Sequence, residues 1–244
     1  EKYEKNPVID IHPPQGSEDF RDPAVWEHNG KYYLVIASAH EETKTGRLLL
    51  YVSDNLFDWQ YQSVFTEWEN CKYTECPSVV PVGDKLLVTV SIAPIEGRPY
   101  FRLLYGSFEN GHFTAEYTTC LDKGPDQYAG QMFRDALGRN ILISWFPGWD
   151  YWNYAPKDIG CMSAAREVKF ENGEFTLYPI KEYYHLLKDE DSCLTRTESG
   201  FYVERTGREP LKYVGTVEDI KILRDAYMAE IFVNGGREVY TVLL

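Results

Sequence analysis

The absences in this sequence narrow the field first. No run of about eighteen apolar residues occurs, so no segment reads as a membrane-spanning helix. Basic residues are in deficit, 25 Lys and Arg against 38 Asp and Glu, giving a formal net charge of −13. Without a basic stripe, a nucleic-acid backbone is excluded as a partner, and an anionic membrane surface is disfavoured. Cysteine is sparse: Cys71, Cys76, Cys120, Cys161 and Cys193 are odd in number and form no CxxC pair for zinc or redox chemistry. Reduced thiols in a cytoplasm are the expectation. The chain starts EKYEK without Met, so a removed leader is compatible with it. There is no Asn-x-Ser/Thr acceptor, no GxSxG, no P-loop and no dinucleotide fingerprint. His12, His28, His40, His112 and His185 are scattered, with no metal-binding spacing.

What is present is a repeat. Three stretches align: RDPAVWEHNGKYYLVIAS from Arg21, ECPSVVPVGDKLLVTVSIA from Glu75 and YAGQMFRDALGRNILISWF from Tyr128. Each opens on a polar or tight start, runs through a short apolar strand and turns at Asn29-Gly30, Gly83-Asp84 or Leu137-Gly138. A second apolar strand then follows. A third strand reads GRLLLYVSD, YFRLLYGSF and GCMSAAREVKF, and a fourth DWQYQSVF, HFTAEYTTCL and EFTLYPI. Asp22 to Glu75 and Glu75 to Tyr128 are each 53 residues. Four strands per repeat of this length describe propeller blades. The expected fold is therefore all-β, with three four-stranded blades over residues 1–180.

Residues 181–244 break the pattern. KEYYHLL reads as a short helical turn, and GFYVER, LKYVG, EDIKILRD, AEIFVN and EVYTVLL as short strands, with a hairpin turn at NGG. A reduced β-sheet or sandwich-like module is expected, marginal alone because few strands bury little area. LKDEDS near Glu190 reads as a solvated linker. Three blades do not close a propeller. The open end faces call for a cover: an N-terminal segment, a second polypeptide or a homodimer.

The repeat alignment puts Asp22 and Glu75 at matching places in adjacent blades. Two carboxyl groups at one pocket suit glycosidic bond cleavage, one as proton donor and one beside the developing oxocarbenium ion. Arg21 supplies a counter-charge beside Asp22, and an apolar setting among Tyr73, Cys76 and Pro77 suits Glu75 as a donor. The alternative is a pair of structural ion pairs at strand ends.

FRDP at Phe20–Pro23, EC at Glu75-Cys76 and GPDQYA at Gly124–Ala129 resemble three successive motifs of glycoside hydrolase family 32, the β-fructosidases. NPVI, YVSDNLFDW, GRNILISW, MSAAREV and ILRDAYMAEIFVNGGREVYT extend the resemblance, in order, over nearly the whole chain. It implies a five-bladed propeller plus a β-sandwich, and a retaining hydrolase acting on sucrose or fructans. By motif, Glu75 matches the acid/base, Asp22 the transition-state stabiliser and Arg21 its neighbouring arginine. Asp126 and Tyr128 match a motif near the substrate pocket. Neither a metal nor an organic cofactor is implied.

The departures are specific. The family's nucleophile lies in an NDPNG-type motif, and the only Asp-Pro here is Asp22-Pro23. Thr74 stands where Trp is frequent, and Ser78 where Asp is frequent. The resemblance therefore implies a chain holding acid/base and stabiliser without the nucleophile. Such a chain is inactive alone and completed by a partner carrying two blades. The competing expectation is a fructose- or fructan-binding pseudoenzyme. Aromatics that could platform a sugar are Trp68, Trp145, Trp149, Tyr151, Trp152 and Tyr154, with core packing as the alternative for each.

Overall fold

The computed structural model describes residues 3–146 and 160–244. The chain is all-β and forms two compact units, Glu1–Thr119 with Ala129–Met132, and Cys120–Tyr128 with Phe133–Leu244.

The first unit holds two four-stranded antiparallel sheets. One runs β1 (Phe20–His28), β2 (Lys31–His40), β3 (Thr45–Ser53) and β4 (Gln60–Glu69) in spatial order. The other repeats that order with β5 (Cys71–Val82), β6 (Lys85–Pro94), β7 (Tyr100–Glu109) and β8 (His112–Thr119). Asn-Gly closes two of the hairpins with both residues at positive φ, at Asn29-Gly30 and Asn110-Gly111. That geometry matches strand twist and favours this dipeptide. The two sheets share an apolar core in which Val35, Ala37, Leu48 and Leu50 meet Val88, Val90 and Ile92. Trp26 fills its centre, stacked on Tyr33 and edge-on to Phe65 and Phe108.

The two sheets share a second device that positions the site. In β1 the register slips between Arg21 and Ala24, and in β5 between Glu75 and Ser78. Each slip is a β-bulge, with the residue at its crest in the left-handed region: Asp22 at φ 56° and Cys76 at φ 49°. Ala129, at φ 50°, holds the same conformation in the third repeat. The bulges align Asp22 with Cys76 and Arg21 with Glu75. The stretches set from Arg21 and Glu75 hold this register; matching Asp22 with Glu75 by their 53-residue spacing is one residue out, because equivalent positions of the first two sheets lie 54 residues apart.

In the second unit, β10 (Asn140–Phe146) lies between β11 (Cys161–Met162) and β12 (Arg166–Glu171), with β13 (Glu174–Pro179) beyond β12. β9 (Tyr128–Arg134) precedes them in the chain. The single strand expected over 160–170 is broken after Met162. There the Ala164 N–H leaves the ladder to donate to Glu230 at 2.7 Å. A 3₁₀ turn at Lys181–Leu186 leads to two three-stranded sheets. They are β14 (Leu194–Thr197), β15 (Gly200–Val203) and β16 (Leu211–Val214), then β17 (Ile220–Asp225), β18 (Met228–Val233) and β19 (Glu238–Leu243). Phe201, Val203 and Tyr213 of one sheet and Ile222, Ile231 and Val242 of the other belong to one core.

LKDEDS is largely exposed, as a solvated segment would be, but it is tied down. Lys188 bridges to Ile222, and Asp191 accepts from Arg224 at 2.7 Å and from the Cys193 N–H at 3.1 Å. Burial raises the Asp191 carboxyl, but those donors outweigh it and hold it well below the usual range. The polar letters look like a linker only until their partners, some thirty residues on, are known.

A buried ionic cluster lies within this unit. Arg166, fully enclosed, donates to Asp122 at 2.7 Å and stands 3.6 Å from Glu230. Burial pushes the Glu230 carboxyl up to about 7, against the pull of Arg166 and the Ala164 N–H and with a push from Asp122. A carboxyl that titrates higher folded than unfolded (about 4.3) favours the fold below the unfolded value. It costs stability as pH rises through the folded value. Glu230→Gln is therefore expected to be more stable than the parent at pH 8, by on the order of 1–3 kcal/mol, with the gain shrinking towards pH 5. Urea unfolding of both proteins across that range measures it, and a gain that does not vary with pH would contradict it.

Candidate active site

The β1 and β5 bulges bring Asp19, Arg21 and Asp22 together with Tyr73, Glu75 and Cys76. Arg21 is the hub. Its Nη1 donates to Asp19 Oδ1 at 2.7 Å, and its Nε to Glu75 Oε1 at 3.4 Å. Its guanidinium carbon lies 4.8 Å from the centre of the Tyr73 ring. Burial pulls the Arg21 pKa down, but Asp19, Glu75 and Asp22 outweigh it and raise it, so the cation persists. Asp22 reaches across the strands to accept the Cys76 N–H at 2.9 Å through Oδ2. Burial, with Asp22 and Glu75 beside it, pushes the Cys76 thiol up to about 12. Glu75 therefore stands beside an arginine, where the sequence suggested an apolar setting. The three residues are half-buried, paired on one side and open on the other.

The residues flanking Glu75 explain its backbone. Thr74, buried, donates to the Arg47 carbonyl at 2.6 Å and accepts from the Ser38 N–H at 3.3 Å, fixing β5 against the first sheet. Ser78 accepts the Met132 N–H at 2.9 Å. Arg21 also lines an apolar cavity of about 480 Å³ with Pro7, Ile9, Phe20, Leu34 and Ile36. Asp22 and Glu75 lie outside that wall.

The other candidates stand elsewhere. Trp68, in β4 opposite Gly46, packs on the core of the first unit. In the second unit, Asp126 is buried and its Oδ2 is committed to Arg205 at 2.6 Å and to the Leu243 N–H at 2.8 Å. Tyr128 is buried, and Trp145 is half-buried opposite Met162. Trp149, Tyr151, Trp152 and Tyr154 lie outside the described residues. Sequence reasoning missed Gln131, whose side-chain amide donates to the Cys76 carbonyl at 3.1 Å. A signal existed: Gln131 is the repeat counterpart of Ser78, 53 residues on, and both are polar where the first repeat has Ala24.

Among the described residues, no group of three or more His, Cys, Asp or Glu is arranged to hold a metal ion. No helix there is long and apolar enough to cross a membrane.

The profile of the Glycosyl hydrolases family 32 N-terminal domain matches residues 1–179. The chain is 31% identical to the sucrose-6-phosphate hydrolase of Escherichia coli over 214 residues, covering 82% of this chain and 44% of that protein. It is 35% identical to the levanbiose-producing levanase of Bacillus subtilis over 222 residues, covering 81% of this chain and 41% of that one. A family 32 β-fructofuranosidase structure from Bombyx mori matches with a TM-score of 0.79 at 24% identity, over 100% of this chain and 64% of that chain. The chain thus spans about half the length of the curated relatives it matches.

Proposed function

The chain belongs to glycoside hydrolase family 32, and from that premise we propose that it carries the acid/base and stabilising half of a retaining fructosyl hydrolase site. Glu75 donates a proton to the glycosidic oxygen and later accepts one from water. Asp22 stabilises the oxocarbenium-like transition state through the fructosyl hydroxyls. Arg21 orients Glu75. The observation that carries this is the convergence of Asp22, Arg21 and Glu75 on two bulged strands locked together by the Asp22–Cys76 hydrogen bond. Two carboxyl groups with separate roles are what glycoside hydrolysis requires.

A retaining mechanism also needs a nucleophilic carboxylate. The one Asp-Pro is already used as the stabiliser, so the nucleophile comes from polypeptide outside these residues: an N-terminal segment or a second chain supplying two blades. The two four-stranded sheets, with the sheet of β9 to β13 after them, support reading residues 1–180 as three blades. The shared core of the two three-stranded sheets supports reading 181–244 as a reduced sandwich. Five free thiols fit a cytoplasmic setting. Asp126, Tyr128, Trp68 and Trp145 are the further residues proposed to serve the substrate side.

The test is co-expression with a two-blade segment bearing the missing Asp, followed by fructose release from sucrose and from levan. The assembly is expected to release fructose, and Glu75→Gln to reduce kcat/KM by about 10²–10⁴-fold, the usual share of general acid–base catalysis. Saturable fructose binding by an assembly that releases none would favour the pseudoenzyme reading, which the single Asp-Pro motif supports. A homodimer that stays intact and excludes the segment would sink the complementation.

A further inference from the structure

We infer that Gln131 is a positioning residue for Glu75, acting through the backbone of Cys76. This rests on the reading of Glu75 as the acid/base. Cys76 is left-handed at φ 49° and precedes Pro77, a combination that non-glycine residues adopt only when their surroundings impose it. The imposition is visible on both sides of the residue. Its N–H donates to Asp22 Oδ2 of the first repeat at 2.9 Å. Its carbonyl accepts from Gln131 Nε2 of the third repeat at 3.1 Å. The Gln131 amide is itself oriented, because Ser78 Oγ donates to its Oε1 at 3.3 Å while accepting the Met132 N–H. A carbonyl can only accept, so the NH₂ end must face Cys76. Glu75 is thus followed by a strained residue pinned by one side chain from the preceding repeat and one from the next. Of the two, Gln131 carries no charge and no assigned role in the chemistry.

Amide hydrogen exchange at Cys76, read by NMR on the chain itself, tests this. Gln131→Ala removes the clamp. Gln131→Glu keeps the shape and the acceptor for Ser78 but loses the donor. At pH 7 both variants are expected to exchange Cys76 about five-fold faster than the parent, the size of one lost hydrogen bond. The amide of Val88, deep in the shared core, keeps its rate. Below about pH 4 the introduced carboxyl protonates and regains a donor. The excess rate of Gln131→Glu then falls towards the parent, while that of Gln131→Ala persists. Asp22, Glu75, Asp19, Arg21, Tyr73 and the Cys76 thiol are the ionisable groups around this peptide, and the parent at each pH controls for them.

An unchanged Cys76 rate, or equal acceleration of Cys76 and Val88, would overturn the inference, the second marking Gln131 as merely structural. The proposed function fails by a different result: an assembly whose fructose release survives Glu75→Gln. That outcome leaves the exchange data untouched.

Discussion

Arg166→Ala is expected to lower the unfolding free energy of the second unit by about 3–5 kcal/mol. The side chain is fully enclosed and serves Asp122 at 2.7 Å, Ser144 Oγ at 3.0 Å and Thr241 Oγ1 at 3.2 Å, with Glu230 3.6 Å away. Removing it leaves two buried carboxyl groups without a cation. Breaking one side of a buried pair costs far more than the intact pair contributes, because the abandoned charge remains. The proof is in the rescue. Asp122→Asn combined with Glu230→Gln in the Arg166→Ala background removes the orphaned charges and should recover a substantial part of the loss. Urea unfolding of the parent, the single variant and the triple variant decides it. A single variant within about 1 kcal/mol of the parent, or a triple variant no better than the single one, would show that the cluster is not an ionic lock.

Trp26→Ala is expected to cost the first unit about 3–5 kcal/mol for a different reason. Trp26 is 4% exposed and touches three aromatic rings, two from its own sheet and Phe108 from the other. Its indole N–H has no hydrogen-bond partner among the described residues, so truncation orphans no polar group. The loss is then transfer and cavity alone, between sheets that cannot collapse without breaking their ladders. Trp26→Phe should recover most of it. Thermal and urea denaturation followed by circular dichroism measure both, and equal loss in the Phe and Ala variants would contradict the cavity argument.

These cases also mark what a sequence discloses. The hairpins at Asn29-Gly30 and Asn110-Gly111 are legible because the dipeptide alone supplies the two positive φ values. The strands are legible because the apolar pattern repeats every 53 residues or so. Glu75 and Asp22 are legible as a pair, since charge at a strand start is costly without a use. The bulges are not, because an extra residue leaves no mark in composition, and Asp22 takes its place opposite Cys76 rather than Glu75. Asp126 sits in a motif that resembles a substrate-side segment, yet its carboxylate is turned to Arg205, 79 residues on. No local spacing announces a partner that distant. Gln131 hides for the same reason, as an exposed amide whose meaning lies in the carbonyl it faces.

The segment before β9 runs alongside β19: Val239 N–H donates to the Leu121 carbonyl, Lys123 N–H to that of Val239, and Gly124 passes so close to Thr241 that a Cβ has no room. During synthesis this segment emerges more than a hundred residues before its mate. Until β19 has cleared the ribosome, Asp122 and Asp126 are polar groups waiting for a surface that does not yet exist, and the second unit has no closed edge. Contacts of such sequence separation form late and slowly. A nascent chain halted before β19 would therefore be missing the element that completes a region laid down more than a hundred residues earlier, and proteases should find the stretch around residues 120–126 first.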